Sequence, residues 1–487
     1  MRGTNTMCFH RILLITPPVK TELGPVRPNI GLGYLAQMLL ENGIKYDVLD
    51  MLLGYTLDDL KRKVDQFKPD LLGVNLFSNK YKTAYETIEE IKKYFPSMKV
   101  IVGGPHVSCL RKKVLEDCPS IDFGVFLEGE FALLELCRGK KLKDIENLIY
   151  REDGDIVENK TRKFIQDLDA LNFPTYNNFE LNRYIDEKAV ISSRGCPYSC
   201  TYCAVKLASG QQVRLRSPEN VVDEVEFWHK RGYRQFSFQD DNFNVSKDRV
   251  FKICDEIEKR GFKDIFFRCA GARADKLDRD VLGRMKEVGF RTIAIGVEVG
   301  NDKMLGVIKK GEKFSDIDNA VKNACEVGFD VYLNFLAGVP YETISDIQDS
   351  INFSLKYPVF YAEWSNIIPY PGTELYDWLS EKGYLFKQPD EYLNDNSTTS
   401  NIPVFETPEL SLEMRKKILV MVKKVRKKIL RRSIVRRLEQ RGIPWGIKHG
   451  IGFVVSTDTF MKYLFQNKIR GLADLIRFRL YMRGKDK

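Results

Sequence analysis

No stretch of this sequence approaches the ~18 consecutive apolar residues that a membrane-crossing helix needs, so an integral membrane protein is not expected. The opening, MRGTNTMCFHRILLITPP, holds one short apolar run that stops at Pro17-Pro18. It lacks the apolar core and the small-residue cleavage site of a secretory signal, so export by that route is not expected either. Evenly paired cysteines are missing too: the chain has 10, scattered apart from three between positions 196 and 203. A secreted disulfide scaffold is therefore excluded, and a reducing, cytoplasmic setting is expected. No short internal repeat or low-complexity tract appears. With 43% hydrophobic and 30% charged residues, the composition is that of a folded globular chain rather than a disordered or collagenous one. Its 487 residues suffice for two to four domains at roughly 100–200 residues each.

Charge is present in excess of one sign, but only locally. The net charge is +10, yet residues 411–487 alone carry 22 Lys and Arg against 5 Asp and Glu, or +17. The first 410 residues then hold 55 against 62, or −7. Such asymmetry marks an acidic partner for one terminal segment.

Residues 8–150 alternate strand and helix signals. Apolar runs at Arg11–Thr16, Tyr46–Asp50, Asp70–Leu76, Lys99–Val102 and Phe123–Phe126 alternate with helical spacing at Gly31–Asn42, Thr56–Phe67 and Tyr81–Tyr94. Nearly all-apolar strands between helices predict a doubly wound parallel sheet. Ligands of such sheets bind beyond the strand carboxyl ends, which here carry Pro17-Pro18, Asn75–Ser78, Gly103–His106 and Glu128–Glu130. Residues 151–188 are polar and aperiodic and read as a linker, with one hairpin near Asp153-Gly154. A second series then spans 189–390, with strands at Ala189–Ser193, Gln235–Gln239, Ile265–Ala270, Thr292–Val297, Val331–Leu336 and Ala362–Ile368. Six strand–helix units predict a partial TIM-type barrel, with its site at the strand carboxyl ends. Residues 391–487 form a basic helical region. There Ile418, Val422, Val425 and Ile429 make an apolar stripe opposite Lys and Arg, Gly442–Trp445 breaks it, and Phe460–Tyr481 is a second basic amphipathic stretch.

The chemistry concentrates in SSRGCPYSCTYC, residues 192–203. Cys196, Cys200 and Cys203 are spaced Cys-x3-Cys-x2-Cys, with Tyr202 before the last. Structural zinc takes four ligands, usually as two Cys-x2-Cys pairs, and no further Cys or His follows until His229. Three thiolates on an iron–sulfur cluster leave one iron open to a substrate. A structural zinc site or ordinary thiols is the alternative.

This triplet matches in full the CxxxCxΦC motif of the radical SAM superfamily, which the sequence resembles. The likeness continues through FQDDNF (238–243), RCAGARAD (268–275), IGVEVG (295–300), AGVPYET (337–343) and PYPGTEL (369–375). Upstream, PPVKTELGPVRPNIGLGYLAQML, VGGPH and LEGE resemble the cobalamin-binding domain that precedes this barrel in the B12-dependent class. The fold implied is a Rossmann-like cobalamin-binding domain, a partial (β/α)6 barrel and a basic helical C-terminal region. The resemblance implies that Cys196, Cys200 and Cys203 hold a 4Fe-4S cluster whose open iron chelates S-adenosylmethionine, with Tyr202 beside it. One of Asp240 and Asp241 would accept a hydrogen bond from the SAM ammonium, unless the pair only caps the next helix. Arg273 and Glu298 would meet the SAM carboxylate and ribose, or else form a buried ion pair. Gly338 and Gly372 would let the backbone approach adenine, or merely make turns. Gly103, Gly104, Glu128 and Gly129 would give a corrin ring backbone surface, and His106 would line the loop beside it. Ser78 would receive the phosphate of the nucleotide tail or cap a helix. The sequence departs from cobalamin domains with a lower-ligand histidine in lacking DxHxxG, so no axial histidine is expected.

The activity implied is methylation of an unactivated carbon. Electron transfer from the cluster would cleave SAM to methionine and a 5′-deoxyadenosyl radical, which takes a hydrogen atom from the substrate, and the resulting carbon radical would take a methyl from methylcobalamin. The alternative uses the same cofactors for cyclisation, rearrangement or oxidation. An RNA-modifying methylthiotransferase would need three more cluster cysteines, and Cys8, Cys109, Cys118 and Cys137 do not fall on suitable strand ends. Partners implied are an electron donor such as flavodoxin or ferredoxin and an unidentified small-molecule or lipid-linked substrate. The basic segment, with Phe460, Leu464, Phe465 and Ile469, is expected at an anionic membrane surface or packed with its charges facing water. Nucleic acid is disfavoured, since no binding fold or stacking pattern appears.

Overall fold

The computed structural model describes residues 7–18, 26–393, 402–440 and 442–456. The chain forms two compact units, Met1–Arg234 with Pro369–Ser397 and Gln235–Ile368 with Thr398–Lys487. In the first unit, β1 (Arg11–Thr16), β2 (Lys45–Asp50), β3 (Leu71–Asn75), β4 (Lys99–Gly103) and β5 (Phe123–Val125) pair in parallel in the order β2-β1-β3-β4-β5. That is the doubly wound order, with its switch point between β1 and β3. The strands are nearly all buried because helices must cover both faces. Among those helices are Ile30–Glu41, Leu57–Phe67, started by a Thr56–Asp59 capping box, and Tyr81–Tyr94.

Two antiparallel strands, β6 (Leu148–Glu152) and β7 (Asp155–Glu158), extend this sheet beyond β5. The turn between them is the expected hairpin, with Asp153 and Gly154 at φ 50° and 93°, the two positive values that a two-residue turn matched to strand twist requires. The first sheet therefore runs past residue 150, into the stretch read as linker. The rest of that stretch adds aromatic core: Tyr176 packs edge-on to Phe179 and beside Trp228.

After β8 (Lys188–Val190), the strand that opens the second series, a short antiparallel ribbon forms between β9 (Ser193–Arg194) and β10 (Arg214–Leu215). This ribbon closes the cysteine-bearing loop and was not expected from periodicity, because two residues per strand carry none.

In the second unit β11 (Gln235–Phe238), β12 (Phe266–Ala272), β13 (Phe290–Glu298), β14 (Asp330–Ala337) and β15 (Tyr361–Asn366) are successive parallel neighbours. Helices separate them, including Lys247–Arg260, Arg279–Glu287, Phe314–Val327 and Ile344–Lys356. Its core is a phenylalanine cluster: Phe238 stacks on Phe290 at 5.5 Å and lies 4.7 Å from Phe243, and Phe267 is 5.0 Å from Phe290. Each such ring, fully buried, contributes about 1.5–3 kcal/mol. The basic region supplies one long helix, Leu412–Glu439, in which Ile418, Val422 and Ile429 of the stripe are buried and Val425 is half-buried. The break falls before a second helix, Trp445–Val455. Among the described residues no helix is long and apolar enough to cross a membrane. Phe460, Leu464, Phe465 and Ile469 lie outside the described residues.

Candidate functional site

The cysteine loop is shaped by two glycines. Gly195 sits at φ +89°, where a Cβ would lie 2.3 Å from the carbonyl oxygen of Gln212. Gly210, at φ +80°, would drive one to 2.6 Å from the Phe164 ring. No other residue fits either position, and across the loop the amide of Cys196 donates to the carbonyl of Gly210 at 3.1 Å. Cys196, Cys200, Cys203 and Tyr202 are all half-buried on this loop. By contrast Cys118, Cys137, Cys254 and Cys269 are buried, and burial pushes each of those thiols up, to between about 11 and about 12. Among the described residues no three His, Cys, Asp or Glu side chains are gathered to hold one metal ion. A short loop carrying three half-buried thiols fits a polynuclear cluster, in which each thiolate takes its own iron. The loop is buttressed by the PYPGTEL turn, where the amide of Leu375 donates to the carbonyl of Thr201 at 3.0 Å. A Cβ on Gly372 would meet Leu207 at 3.0 Å, so the bare backbone there faces a leucine.

The ribbon at the base of the loop is fastened to the LEGE carboxylates. Arg194 donates from one terminal nitrogen to Glu128 at 2.9 Å and from the other to Glu130 at 2.7 Å, and Arg214 donates to the same Glu128 oxygen. The second Glu128 oxygen accepts the amide of Ile165 at 2.8 Å. Burial alone would raise the Glu130 carboxyl, but the charge and hydrogen bond of Arg194 hold it below its ordinary value. Burial likewise works against the Arg194 guanidinium, and Glu130 and Glu128 outweigh it. The Glu128 side chain is thus spent on two arginines that flank the cysteine loop. Neither Arg194 nor Arg214 was singled out from the sequence. The available signal was position alone, immediately before and shortly after the triplet.

At the carboxyl edge of the N-terminal sheet, a Cβ on Gly103 or Gly129 would meet nothing closer than 3.6 Å. Both leave half-exposed backbone, the surface that a flat macrocycle needs. Gly104 differs: at φ +108° a Cβ would lie 2.8 Å from the carbonyl oxygen of Leu76, so its smallness lets two loops close together. His106 is fully buried. Its Nδ1 lies 3.1 Å from Ser78 Oγ and its Nε2 3.2 Å from the Tyr85 hydroxyl. Burial drops its pKa to about 3, and with both nitrogens engaged it is not presented as a metal ligand. Ser78 is half-exposed on the loop after β3. These open glycines, with a polar hydroxyl beside them, fit a corrinoid without an axial histidine.

In the second unit the strand ends carry polar side chains. Asp240 is buried and Asp241 exposed. Next to them Asn242 is buried, and neither its amide nitrogen nor its amide oxygen has a hydrogen-bond partner among the described residues. Buried amides in folded proteins are satisfied, so this end of β11 fits an incoming polar ligand such as SAM. Asn244, also missed, ties the ends of β11 and β12: its side chain accepts the amide of Arg273 at 2.9 Å and donates to its carbonyl at 2.7 Å. The Arg273 guanidinium donates to Asp275 at 3.1 Å and to the carbonyls of Lys310 and Gly311 at 2.9 and 3.2 Å. Glu298, at φ +67°, accepts from Lys310 at 3.2 Å, and a Cβ on Gly296 would fall 2.5 Å from its carboxylate. Glu312 completes this cluster, 3.6 Å from Lys310, with its carboxyl raised by burial against the pull of Lys310 and Arg273. Each of the two is ion-paired, Arg273 with Asp275 and Glu298 with Lys310.

Gly338 is at φ +90°, and the space a Cβ would need lies 2.3 Å from the guanidinium of Arg415. Arg415, from the Leu412–Glu439 helix, donates to the carbonyl of Gly338 at 2.8 Å and to that of Leu410 at 3.2 Å. Glu342 accepts the amides of Gly338 and Val339 at 2.6 and 3.2 Å. The glycine expected to approach adenine therefore also admits an arginine of the C-terminal region.

Comparison with known proteins gives the family. The radical SAM superfamily model matches residues 190–354 and the B12 binding domain model residues 17–137. An uncharacterized methyltransferase of Pyrococcus horikoshii is 30% identical over 426 residues, covering 85% of this chain and 91% of its own. The anaerobic magnesium-protoporphyrin IX monomethyl ester cyclase of Cereibacter sphaeroides is 23% identical over 397 residues, 77% of this chain and 64% of that protein. Among solved structures, the radical S-adenosylmethionine methyltransferase TsrM from Kitasatospora setae, with tryptophan substrate and a SAM analog bound, has the same fold. Its TM-score is 0.68 at 20% identity, over 77% of this chain and 76% of that one.

Proposed function

Because the chain belongs to the cobalamin-dependent radical SAM family, we propose that it methylates an unactivated carbon of its substrate. It is a radical SAM enzyme of the methyltransferase type, with a 4Fe-4S cluster, SAM and cobalamin as its cofactors. When bound, these supply a carbon-centred radical oxidant and a transferable methyl group, and the protein supplies position and exclusion of water. Cys196, Cys200 and Cys203 are the cluster ligands and Tyr202 flanks them. The buried Asp240, with Asn242 beside it, receives the SAM ammonium, while Asp241 faces solvent. Gly103 and Gly129 give the corrin its floor, and Ser78 donates to the nucleotide tail. Arg273, Glu298 and Gly338 shape the strand ends, with their polar groups held by Lys310, Gly311 and Arg415.

One observation carries this reading: Arg194 and Arg214, which bracket the three-cysteine loop, are bonded to the carboxylates at the cobalamin-domain edge. A clamp of this kind has a purpose if the two cofactors must be held in register. The test is anaerobic reconstitution with iron, sulfide, SAM carrying a deuterated methyl and cobalamin, followed by mass spectrometry of extracts from a knockout strain. A product heavier by a deuterated methyl on carbon is expected. Deoxyadenosine formation with a product of rearranged or oxidised mass and no added methyl would overturn methyl transfer in favour of cyclisation or oxidation.

The partners follow from charge. The Leu412–Glu439 helix exposes Lys416, Lys417, Lys424, Lys428, Arg431 and Arg432, which suits an acidic reductant of the flavodoxin or ferredoxin type or an anionic membrane carrying a lipid-linked substrate. Basic residues near such a leaflet contribute about 1 kcal/mol each. Salt-sensitive sedimentation with anionic but not neutral vesicles, lost on truncation at Glu409, is the expected result. Equal partitioning of full-length and truncated protein would overturn the membrane reading.

A further inference from the structure

We propose that Tyr85 and His106 form a buried relay that fixes the Ser78 hydroxyl as an outward-pointing donor to a ligand anion, the phosphate of a corrinoid's nucleotide tail. The proposal rests on the cobalamin reading above and concerns residues behind the site rather than on it.

The relay is built by a close approach of two loops. Gly104, in the conformation that only glycine adopts readily, lets the amide of His106 donate to the carbonyl of Leu76 at 3.2 Å while the amide of Leu76 donates to that of Gly103 at 2.7 Å. This backbone zip sets the imidazole under the loop after β3. Tyr81 stacks on the ring with centroids 4.5 Å apart and planes 19° apart, and Tyr85 meets it edge-on. The imidazole cannot rotate without breaking that stack.

The direction of the hydrogen bonds follows from counting protons. A neutral imidazole has one donor nitrogen and one acceptor. If Nε2 carried the proton it would donate to Tyr85, and the hydroxyl proton of Tyr85 would be left buried with no acceptor, since His106 is its hydrogen-bond partner. Such an orphan costs about 1–3 kcal/mol. In the other tautomer Tyr85 donates to Nε2, Nδ1–H donates to Ser78 Oγ, and every buried proton is used. Ser78 then accepts from His106, and its own proton is left for something outside. Ser78 is half-exposed, on a loop beside the switch point between β1 and β3, where ligands of such sheets bind. Two residues on, Lys80 is half-buried near Asp50 and adds positive charge to the same loop. A fixed hydroxyl donor and a lysine select an anion. The imidazole itself stays uncharged throughout the physiological range because burial holds it near 3.

The test compares two corrinoids, cobalamin and cobinamide, which lacks the phosphate-bearing nucleotide, titrated by absorbance into the purified full chain. Wild type is expected to prefer cobalamin. Ser78→Ala should lose about tenfold in cobalamin affinity, the worth of a hydrogen bond to a charged group, with cobinamide affinity unchanged. Tyr85→Phe should lose less, in the same direction, and Ser78→Thr should restore the preference. The preference should be equal at pH 5.5 and pH 8. Variants that bind both corrinoids like wild type, or lose both equally, overturn the relay, as does a preference that changes between those pH values. Wild type that binds cobalamin no better than cobinamide also overturns the relay while leaving the cobalamin reading intact. Wild type that takes up neither corrinoid removes that reading and the relay with it.

Discussion

In the first unit, buried carboxylates and guanidiniums come from segments far apart in the chain: Arg194 and Arg214 reach Glu128 and Glu130 across 64 to 86 residues. In the second unit the corresponding cluster of Arg273, Glu298, Lys310 and Glu312 closes over separations of 2 to 39 residues. Both are charge clusters at strand ends, and both are mostly shielded from water, yet they do different work. The local cluster stiffens the turns that follow neighbouring strands and leaves the fold otherwise alone. The distant one joins the segment that carries the cysteines to the domain expected to carry the corrin. Sequence separation, rather than the strength of any one ion pair, marks which cluster ties distant segments together.

The contrast can be broken at several places. The most severe is the loop that the distant cluster holds. Cys200→Ala is expected to reduce iron from about four per chain to background and to abolish deoxyadenosine formation, checked by iron assay and chromatography. Deoxyadenosine formed by that variant would falsify the cluster assignment. Next comes the clamp. Glu128→Ala leaves two arginines buried without their shared carboxylate, and removing one partner of a buried pair costs about 3–5 kcal/mol. The denaturation midpoint should fall accordingly, and Glu128→Gln should fall less, because its amide oxygen can still accept from both arginines while only the bond from the Ile165 amide is lost. A midpoint equal to wild type for Glu128→Ala would show the clamp to be ornamental. Glu312→Gln in the local cluster should cost less, about 1–2 kcal/mol, because Lys310 keeps Glu298 and Arg273 keeps Asp275.

A further expected effect is a pH dependence. Glu342 is fully buried and is held by backbone amides. Burial pushes its carboxyl from 4.5 up to about 8, against the pull of the Gly338 and Val339 amides and Arg415. The folded state therefore binds a proton that the unfolded state releases above pH 4.5. This group's contribution is full below that value and is lost as pH rises toward 8, by at most ~1.4 kcal/mol per pH unit. Urea midpoints at pH 5, 6.5 and 8 should fall along that series in wild type and fall less in Glu342→Gln. Parallel slopes for the two proteins would refute the assignment.

The strands of both units were legible because buried parallel strands are written as apolar runs between helices with 3.6-residue spacing. Arg11–Thr16 and Tyr81–Tyr94 fall where their patterns put them. The cysteine triplet was legible because its spacing is followed by an ordered series of companion motifs that together match one family. The ribbon β9–β10 was not, since a two-residue strand has no period to detect. Nor were the partners of Arg194 and Arg214, because an arginine gives no sign of which distant carboxylate will receive it. His106 was read from its GGPH motif as lining a loop. Its burial against Tyr81 and Tyr85 depends on two loops meeting, which a linear pattern does not encode.

The arginine clamp also constrains how this protein can be taken apart or recombined. A cut between residues 150 and 188 would separate Arg194 and Arg214 from Glu128 and Glu130, leaving two guanidiniums on one side and two carboxylates on the other. Grafting a relative's cobalamin-binding module onto this barrel would then succeed only if the graft brought acids at both positions. Within the first unit, the segment bearing Glu128 and Glu130 and the ribbon bearing Arg194 and Arg214 form a matched pair held by four side chains.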